Sequence, residues 1–154
     1  MRWLPLLVVL IPFPALAETW TGSPKVIDGD SLVVAGQEMR LHNIDAFEKE
    51  QLCTRDGEQY PCGLDATLAL IGLIQAREVA CEGQIRDRYG RVLAKCRIGD
   101  LDLGSAMVRS GWALAAWRAE YRPDEQYARE ARLGAWVGTF QRPKEWRKRN
   151  HIGH

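Results

Sequence analysis

The sequence predicts an α+β domain made mainly of strands, a small β-barrel carrying helices. Short segments with strand periodicity recur along the chain, separated by Gly- and Asp-rich turns. Between them stand stretches of helical periodicity with recognisable start and stop residues. The 154 residues, 46% hydrophobic and 27% charged, suit one core and exclude disordered, collagen-like and coiled-coil chains.

Residues 1–17 are set aside first. Met1-Arg2 is a positive start, residues 4–17 are apolar, and Ala15-Leu16-Ala17 has the small-x-small cleavage pattern, so this reads as a signal peptide cut before Glu18. As a helix the apolar run would span roughly 21 Å, too short for a hydrocarbon core of about 30 Å. The expected destination is secreted or periplasmic.

Residues 18–140 then form the expected domain. Lys25-Val26-Ile27-Asp28, Ser31-Leu32-Val33-Val34 and Glu38-Met39-Arg40-Leu41 read as a three-stranded meander, with turns at Asp28-Gly29-Asp30 and Ala35-Gly36-Gln37. Residues 48–63 are polar and loop-like. Asp65 looks like the N-cap of a helix running to about Gln75, with Leu64, Leu68 and Ile71 on one face. Residues 78–81 and 92–97 read as a hairpin. Asp102 caps a second helix that Gly111 stops, with Leu103, Ala106, Met107 and Ser110 inward, and Pro123-Asp124-Glu125 opens a third that ends near Gly134. Trp20, Trp112, Trp136 and Trp146 read as packing residues, and His42 as structural.

Four cysteines in an exported chain point to disulfides. Cys81 and Cys96 lie equally far from Arg88-Tyr89, so a hairpin turning there sets them opposite each other. Cys53 and Cys62 would then close a small surface loop. A zinc site of all four is the alternative, although no C-x2-C pair is present.

The charge balance, 21 Lys+Arg against 20 Asp+Glu, gives no bulk attraction to a polyanion. The distribution is uneven. Residues 141–154 carry Arg142, Lys144, Arg147, Lys148 and Arg149 against Glu145 alone, leaving the body acidic. This tail reads as a solvated, frayed terminus, with contact to phosphates or anionic lipid as the alternative.

Acidic groups bracket the meander, at Asp28 and Asp30 and again at Asp45 and Glu48. Asp-Gly-Asp alone is a common turn, but together these carboxylates could hold a hard divalent cation and leave one Glu as a base. Arg40 and the Arg88-Tyr89-Gly90-Arg91 turn add guanidinium groups able to fork onto a phosphoryl group. A cation, a water activator and positive clamps are what phosphodiester hydrolysis requires.

Val26-Ile27-Asp28-Gly29-Asp30-Ser31, Arg40-Leu41-His42-Asn43-Ile44-Asp45-Ala46-Phe47-Glu48 and Asp87-Arg88-Tyr89-Gly90-Arg91 resemble the three motifs of the staphylococcal nuclease family. Met107-Val108-Arg109-Ser110-Gly111-Trp112-Ala113 resembles its second-helix segment, and the likeness covers residues 25–136. The resemblance implies a five-stranded OB-type barrel with three α-helices and calcium-dependent hydrolysis of DNA and RNA that leaves 3′-phosphate ends. By position it implies Asp30, Asp45 and the Ala46 carbonyl as calcium ligands, Arg40 and Arg91 as catalytic arginines, and Glu48 as general base. Arg88, Tyr89 and Trp117 match positions near the bound nucleotide.

The chain departs from the family pattern at three of these places. Ala46 stands where the family has threonine, whose contribution is a backbone carbonyl that alanine keeps. Phe47 replaces a proline and so changes the shape of the loop that aims Glu48. Trp117 replaces a tyrosine and keeps a stacking surface. The four cysteines are additional to the pattern. Calcium rests on oxygen ligands and the resemblance, with manganese or magnesium as alternatives. The expectation is a monomer acting on nucleic acid with little sequence preference. The rival reading is a non-catalytic OB-fold module that binds single strands by stacking.

Overall fold

A computed structural model describes residues 17–116 and 119–152. The expected signal peptide, apart from its last residue, and Trp117 lie outside them.

The meander forms as expected. β1 (Glu18–Gly22) precedes it, followed by β2 (Lys25–Val26), β3 (Ser31–Val34) and β4 (Gln37–Leu41). Ala35 and Gly36 turn the chain between β3 and β4 at φ 48° and 78°, which sets Ser31 opposite Arg40. Asn43, also left-handed at φ 63°, redirects the chain into β5 (Ile44–Ala46). The polar segment expected to be loop contains a small hairpin, β6 (Cys53–Arg55) and β7 (Glu58–Tyr60).

After α1 (Cys62–Ile74) come β8 (Val79–Arg86) and β9 (Val92–Ile98), paired antiparallel with Cys81 opposite Cys96. The remaining elements are β10 (Leu101–Asp102), α2 (Leu103–Arg109), β11 (Ala113–Ala115), α3 (Arg122–Glu130) and α4 (Pro143–Arg149). The main sheet runs β1-β8-β9-β4-β3-β2 with β10 on β9, and β11 pairs with β5 apart from it. The parallel β4–β9 pairing, Arg40 beside Leu93, joins the meander to the hairpin in a curled half-barrel. The α+β, OB-type expectation holds, with seven strands in the main sheet in place of five. Leu32, Met39 and Leu41 from the meander meet Val79 and Val92 from the hairpin and Leu70, Leu103 and Met107 from the helices in one core.

Three readings need correction. The first helix begins at Cys62, not Asp65, and buries Cys62, Ala66, Thr67, Leu70 and Ile74, while Leu64, Leu68 and Ile71 lie on its exposed face. Small residues were overlooked as the packing face. The packing of Ala66 on Gly29 is close, since a Cβ added at Gly29 would lie 3.0 Å from the Ala66 Cβ. Among the described residues there are four α-helices, not three, because the basic tail folds. Pro143 sits in the first turn of α4, where its missing N–H costs nothing. The tail is therefore not a frayed terminus. Asp102 does cap α2, accepting the N–H groups of Gly104 and Ser105.

Both disulfides are present, Cys53–Cys62 and Cys81–Cys96, and no cysteine is left over for zinc. All four cysteines are buried, so the first bridge lies beneath the surface loop it closes. Among the described residues no helix is long and apolar enough to cross a membrane.

Candidate active site

The register of three short strands puts the motif residues together. Asp30 precedes β3, Arg40 is on β4 opposite Ser31, and Asp45 is on β5 opposite Leu114. The Asp30 carboxylate is 3% exposed and fully engaged. Its Oδ1 accepts from Arg40 Nη1 at 2.9 Å and from the Ser31 hydroxyl at 3.2 Å, and its Oδ2 accepts from the Ala46 amide at 3.0 Å. Arg40 donates through Nη2 to Asp45 Oδ1 at 3.2 Å, so one planar guanidinium bridges the two carboxylates.

Arg91 reaches the same cluster from the hairpin tip. Its Nε donates to Asp87 Oδ2 at 2.8 Å, and its Nη1 lies 3.5 Å from the Ser31 hydroxyl. Asp87 also accepts the Tyr89 and Arg91 amides. Burial pushes this carboxyl up, but the bonds from the Arg91 side chain and from the two amides outweigh it and hold Asp87 below the usual carboxylate range. Tyr89 is half exposed, with the Arg88 and Arg91 guanidinium groups 4.9 Å and 5.4 Å from its ring centroid. Asp28, read as a turn residue, accepts the Asp30 amide. Burial, together with the neighbouring Asp30 carboxylate, pushes its pKa up to about 6.

Glu48 lies in the loop after β5, and residues far apart in sequence hold that loop. Phe47, 1% exposed, is an anchor: its ring meets Phe140 edge-on at 5.0 Å. Gln51 is fully buried. It accepts the Glu48 amide through Oε1 and donates to the Gln141 carbonyl through Nε2 at 2.7 Å, while its own amide donates to the Glu48 carbonyl. Gly63 passes so close beneath that an added Cβ would lie 1.6 Å from the Glu48 carbonyl oxygen. Only glycine fits there.

One site residue comes from the tail. Arg147, on α4, donates through Nη1 to Asp45 Oδ1 at 2.8 Å and Glu48 Oε1 at 2.6 Å, and through Nη2 to Asp45 Oδ2 at 3.3 Å. Its side chain is 12% exposed. Burial alone would lower its pKa, yet the Asp45 and Glu48 carboxylates more than reverse this and raise it. No motif spacing links residue 147 to residues 45 and 48; the only sequence signal is the basic tail itself. Gln51 and Phe140 were likewise missed, and nothing local marks them.

Above these groups opens a cleft of about 650 Å³. Arg40, Asp45, Arg88, Tyr89 and Arg91 line it together with Arg122, Arg142, Lys144 and Arg147. Asp30 and Glu48 are each bonded to a lining residue, Arg40 and Arg147. The expected residues Asp30, Arg40, Asp45, Glu48 and Arg91 thus form one connected polar cluster, with Arg88 and Tyr89 at its mouth. The donor chemistry suits a hard cation. Asp30 and Asp45 offer only oxygen, and the Arg40 guanidinium already places positive charge between them. Among the described residues no three His, Cys, Asp or Glu side chains are grouped so as to hold a metal by themselves.

Comparisons with known proteins agree with this arrangement. The profile described as staphylococcal nuclease homologue matches residues 38–138. Succinoglycan biosynthesis protein ExoI of Rhizobium meliloti is 34% identical over 126 residues, which cover 78% of this chain and 66% of that protein. Protein ParB of Escherichia coli is 31% identical over 95% of this chain and 89% of its own length. The probable staphylococcal-like nuclease CAN1 of Oryza sativa subsp. japonica is 28% identical over 81% of this chain, but that covers only 37% of the rice protein. The chain thus spans a little under two thirds of the first relative and about a third of the last. With its profile matched across most of the folded region, the chain belongs to the staphylococcal nuclease homologue family.

Proposed function

We propose that this protein is an exported, calcium-dependent nuclease that hydrolyses phosphodiester bonds of DNA and RNA and leaves 3′-phosphate ends. The observation that carries the reading is the convergence of Asp30, Arg40, Asp45, Glu48 and Arg91 below a basic cleft. The family itself is of nuclease type, and one relative carries that word in its name. Two buried disulfides and the N-terminal apolar stretch support an oxidising destination outside the cytoplasm, secreted or periplasmic.

In this reading Asp30, Asp45 and the Ala46 carbonyl hold calcium, which supplies Lewis-acid polarisation of a phosphoryl oxygen. Glu48 orients a water molecule and takes its proton. Arg40 and Arg91 hold the other phosphoryl oxygens as they gain charge, each arginine already oriented by a carboxylate, Asp30 or Asp87. Arg88 and Tyr89 bind the flanking phosphate and sugar-base portion. Trp117 is assigned a stacking role by the resemblance alone. Contacts mainly to phosphate give little sequence preference. The enzyme works as a monomer.

The test is digestion of labelled single- and double-stranded DNA and of RNA, with calcium and then with excess chelator, followed by end analysis. Cleavage that stops on chelation and yields 3′-phosphate ends is the expected result. Binding without cleavage would favour the stacking module instead.

A further inference from the structure

In a nuclease of this kind the carboxylates that receive a cation must be available to it, and here Asp45 is held, together with the neighbouring Glu48, by a positive group from the same chain. We propose that Arg147 is the resident counter-cation of this site, so that its guanidinium and a divalent ion compete for Asp45 and the C-terminal helix sets the ion concentration at which the site loads. The inference rests on the cation-binding part of the reading above.

Both oxygens of Asp45 face Arg147 donors, at 2.8 Å and 3.3 Å, and Oδ1 also takes Arg40 Nη2. A calcium ion needs direct oxygen contact at about 2.3–2.6 Å, so it would meet a guanidinium within a few ångströms on the same carboxylate. Like charges at that range repel by amounts that change an equilibrium severalfold to more than tenfold, even near the surface. With its side chain 12% exposed, Arg147 is only weakly screened by solvent. Withdrawal of Arg147 also takes away the donor that lies 2.6 Å from Glu48 Oε1.

The aromatic anchor of the tail lies outside the helix that carries Arg147. Helix α4 has seven residues, and the Phe140 ring holds its entry against Phe47 and Trp136. That anchor lies before the helix, so Arg147 can swing away while residues 136–141 stay packed. A displaced Arg147 remains beside Arg142 and Lys144 on the cleft wall, where a phosphate backbone offers a new partner.

The experiment is calorimetric titration of calcium chloride, without nucleic acid, into the wild-type protein, Arg147→Gln and Lys148→Gln. The two variants remove the same charge from the same helix, but Lys148 is exposed and takes no part in the cluster. The expected result is calcium binding about tenfold tighter in Arg147→Gln, with Lys148→Gln within about twofold of wild type. Equal gains in both variants, unchanged or weaker binding in Arg147→Gln, or no calcium binding by any of the three proteins would overturn the proposal. If Arg147→Gln does not fold, hydrogen exchange of the wild type decides: calcium should speed exchange in Pro143–Arg149, and unaltered protection there overturns the idea. Tighter binding in a protein that cleaves nothing would sink the nuclease reading and leave this one standing. Chelator-sensitive cleavage with unchanged affinities would do the reverse.

Discussion

By origin in the chain the cleft has a motif wall and a tail wall, and different physics fixes each. On the motif wall, Asp30, Arg40 and Asp45 fall within 16 residues, and strand pairing places them: Ser31 opposite Arg40, and Ala46 donating its amide to Asp30. On the tail wall, Arg147 arrives from about a hundred residues away. It is placed by aromatic edge contacts at Phe140 and a buried amide, Gln51, bonded to Gln141. The difference teaches that the reactive constellation is rigid by construction, whereas the group that neutralises it is tethered. A change on the first wall should cost chemistry without structure. A change on the second should loosen structure first.

The sharpest test of that contrast is Glu48→Gln. The amide keeps the size and can still meet neighbouring groups, but it cannot take a proton. The expected loss of turnover is about 10²- to 10⁴-fold, with the thermal midpoint nearly unmoved, measured as cleavage rate and by thermal denaturation. Activity near wild type in that variant would remove Glu48 from the role of base.

Phe140→Ala addresses the other wall. It deletes two edge-on ring contacts at a half-buried position, so a loss of about 2 kcal/mol in denaturant unfolding is expected. Cleavage by a probe protease near residues 141–142 should rise at the same time, because the entry to α4 loses its anchor. Unchanged protease resistance would mean that α4 is held chiefly by the Arg147 ion pairs.

The smallest effect is expected from Asp87→Asn, which weakens the seat of Arg91. Asp87 is held below the ordinary carboxylate pKa of 3.8, so its contribution to stability is fully present above that value and fades as pH falls toward its own lower one. The variant should be less stable than wild type by about 1 kcal/mol at pH 7, and the gap should narrow as the pH is taken below 3.8, as read from urea unfolding across that range. A gap that widens on acidification would reverse the sign of the argument.

Much of this was legible in the residues. The meander follows from period-two alternation and two turns, and the Cys81–Cys96 bridge from symmetry about the hairpin tip. The carboxylates and arginines of the motif wall could be named because motif residues act within short spans whose register is set locally. The apolar face of the first helix was misjudged for a physical reason. Leu64, Leu68 and Ile71 look like an apolar face, but the buried side is that of Gly63, Ala66, Thr67 and Leu70, where the Glu48 backbone and Gly29 approach closely, and chain spacing does not reveal which surface will press closest.

Hydrophobic periodicity, turn residues and the ordered motifs determined by themselves the α+β class, the two disulfides, the family and the identity of the motif groups. Only the tertiary structure decided that the basic tail ends as a helix, that Phe47 and Gln51 hold the Glu48 loop, and that Arg147 sits on Asp45 and Glu48. The reason is one of range. Backbone hydrogen bonding and side-chain alternation act over a few residues and leave a periodic trace. An ion pair between residues 45 and 147 depends on how the whole intervening core packs, and leaves none.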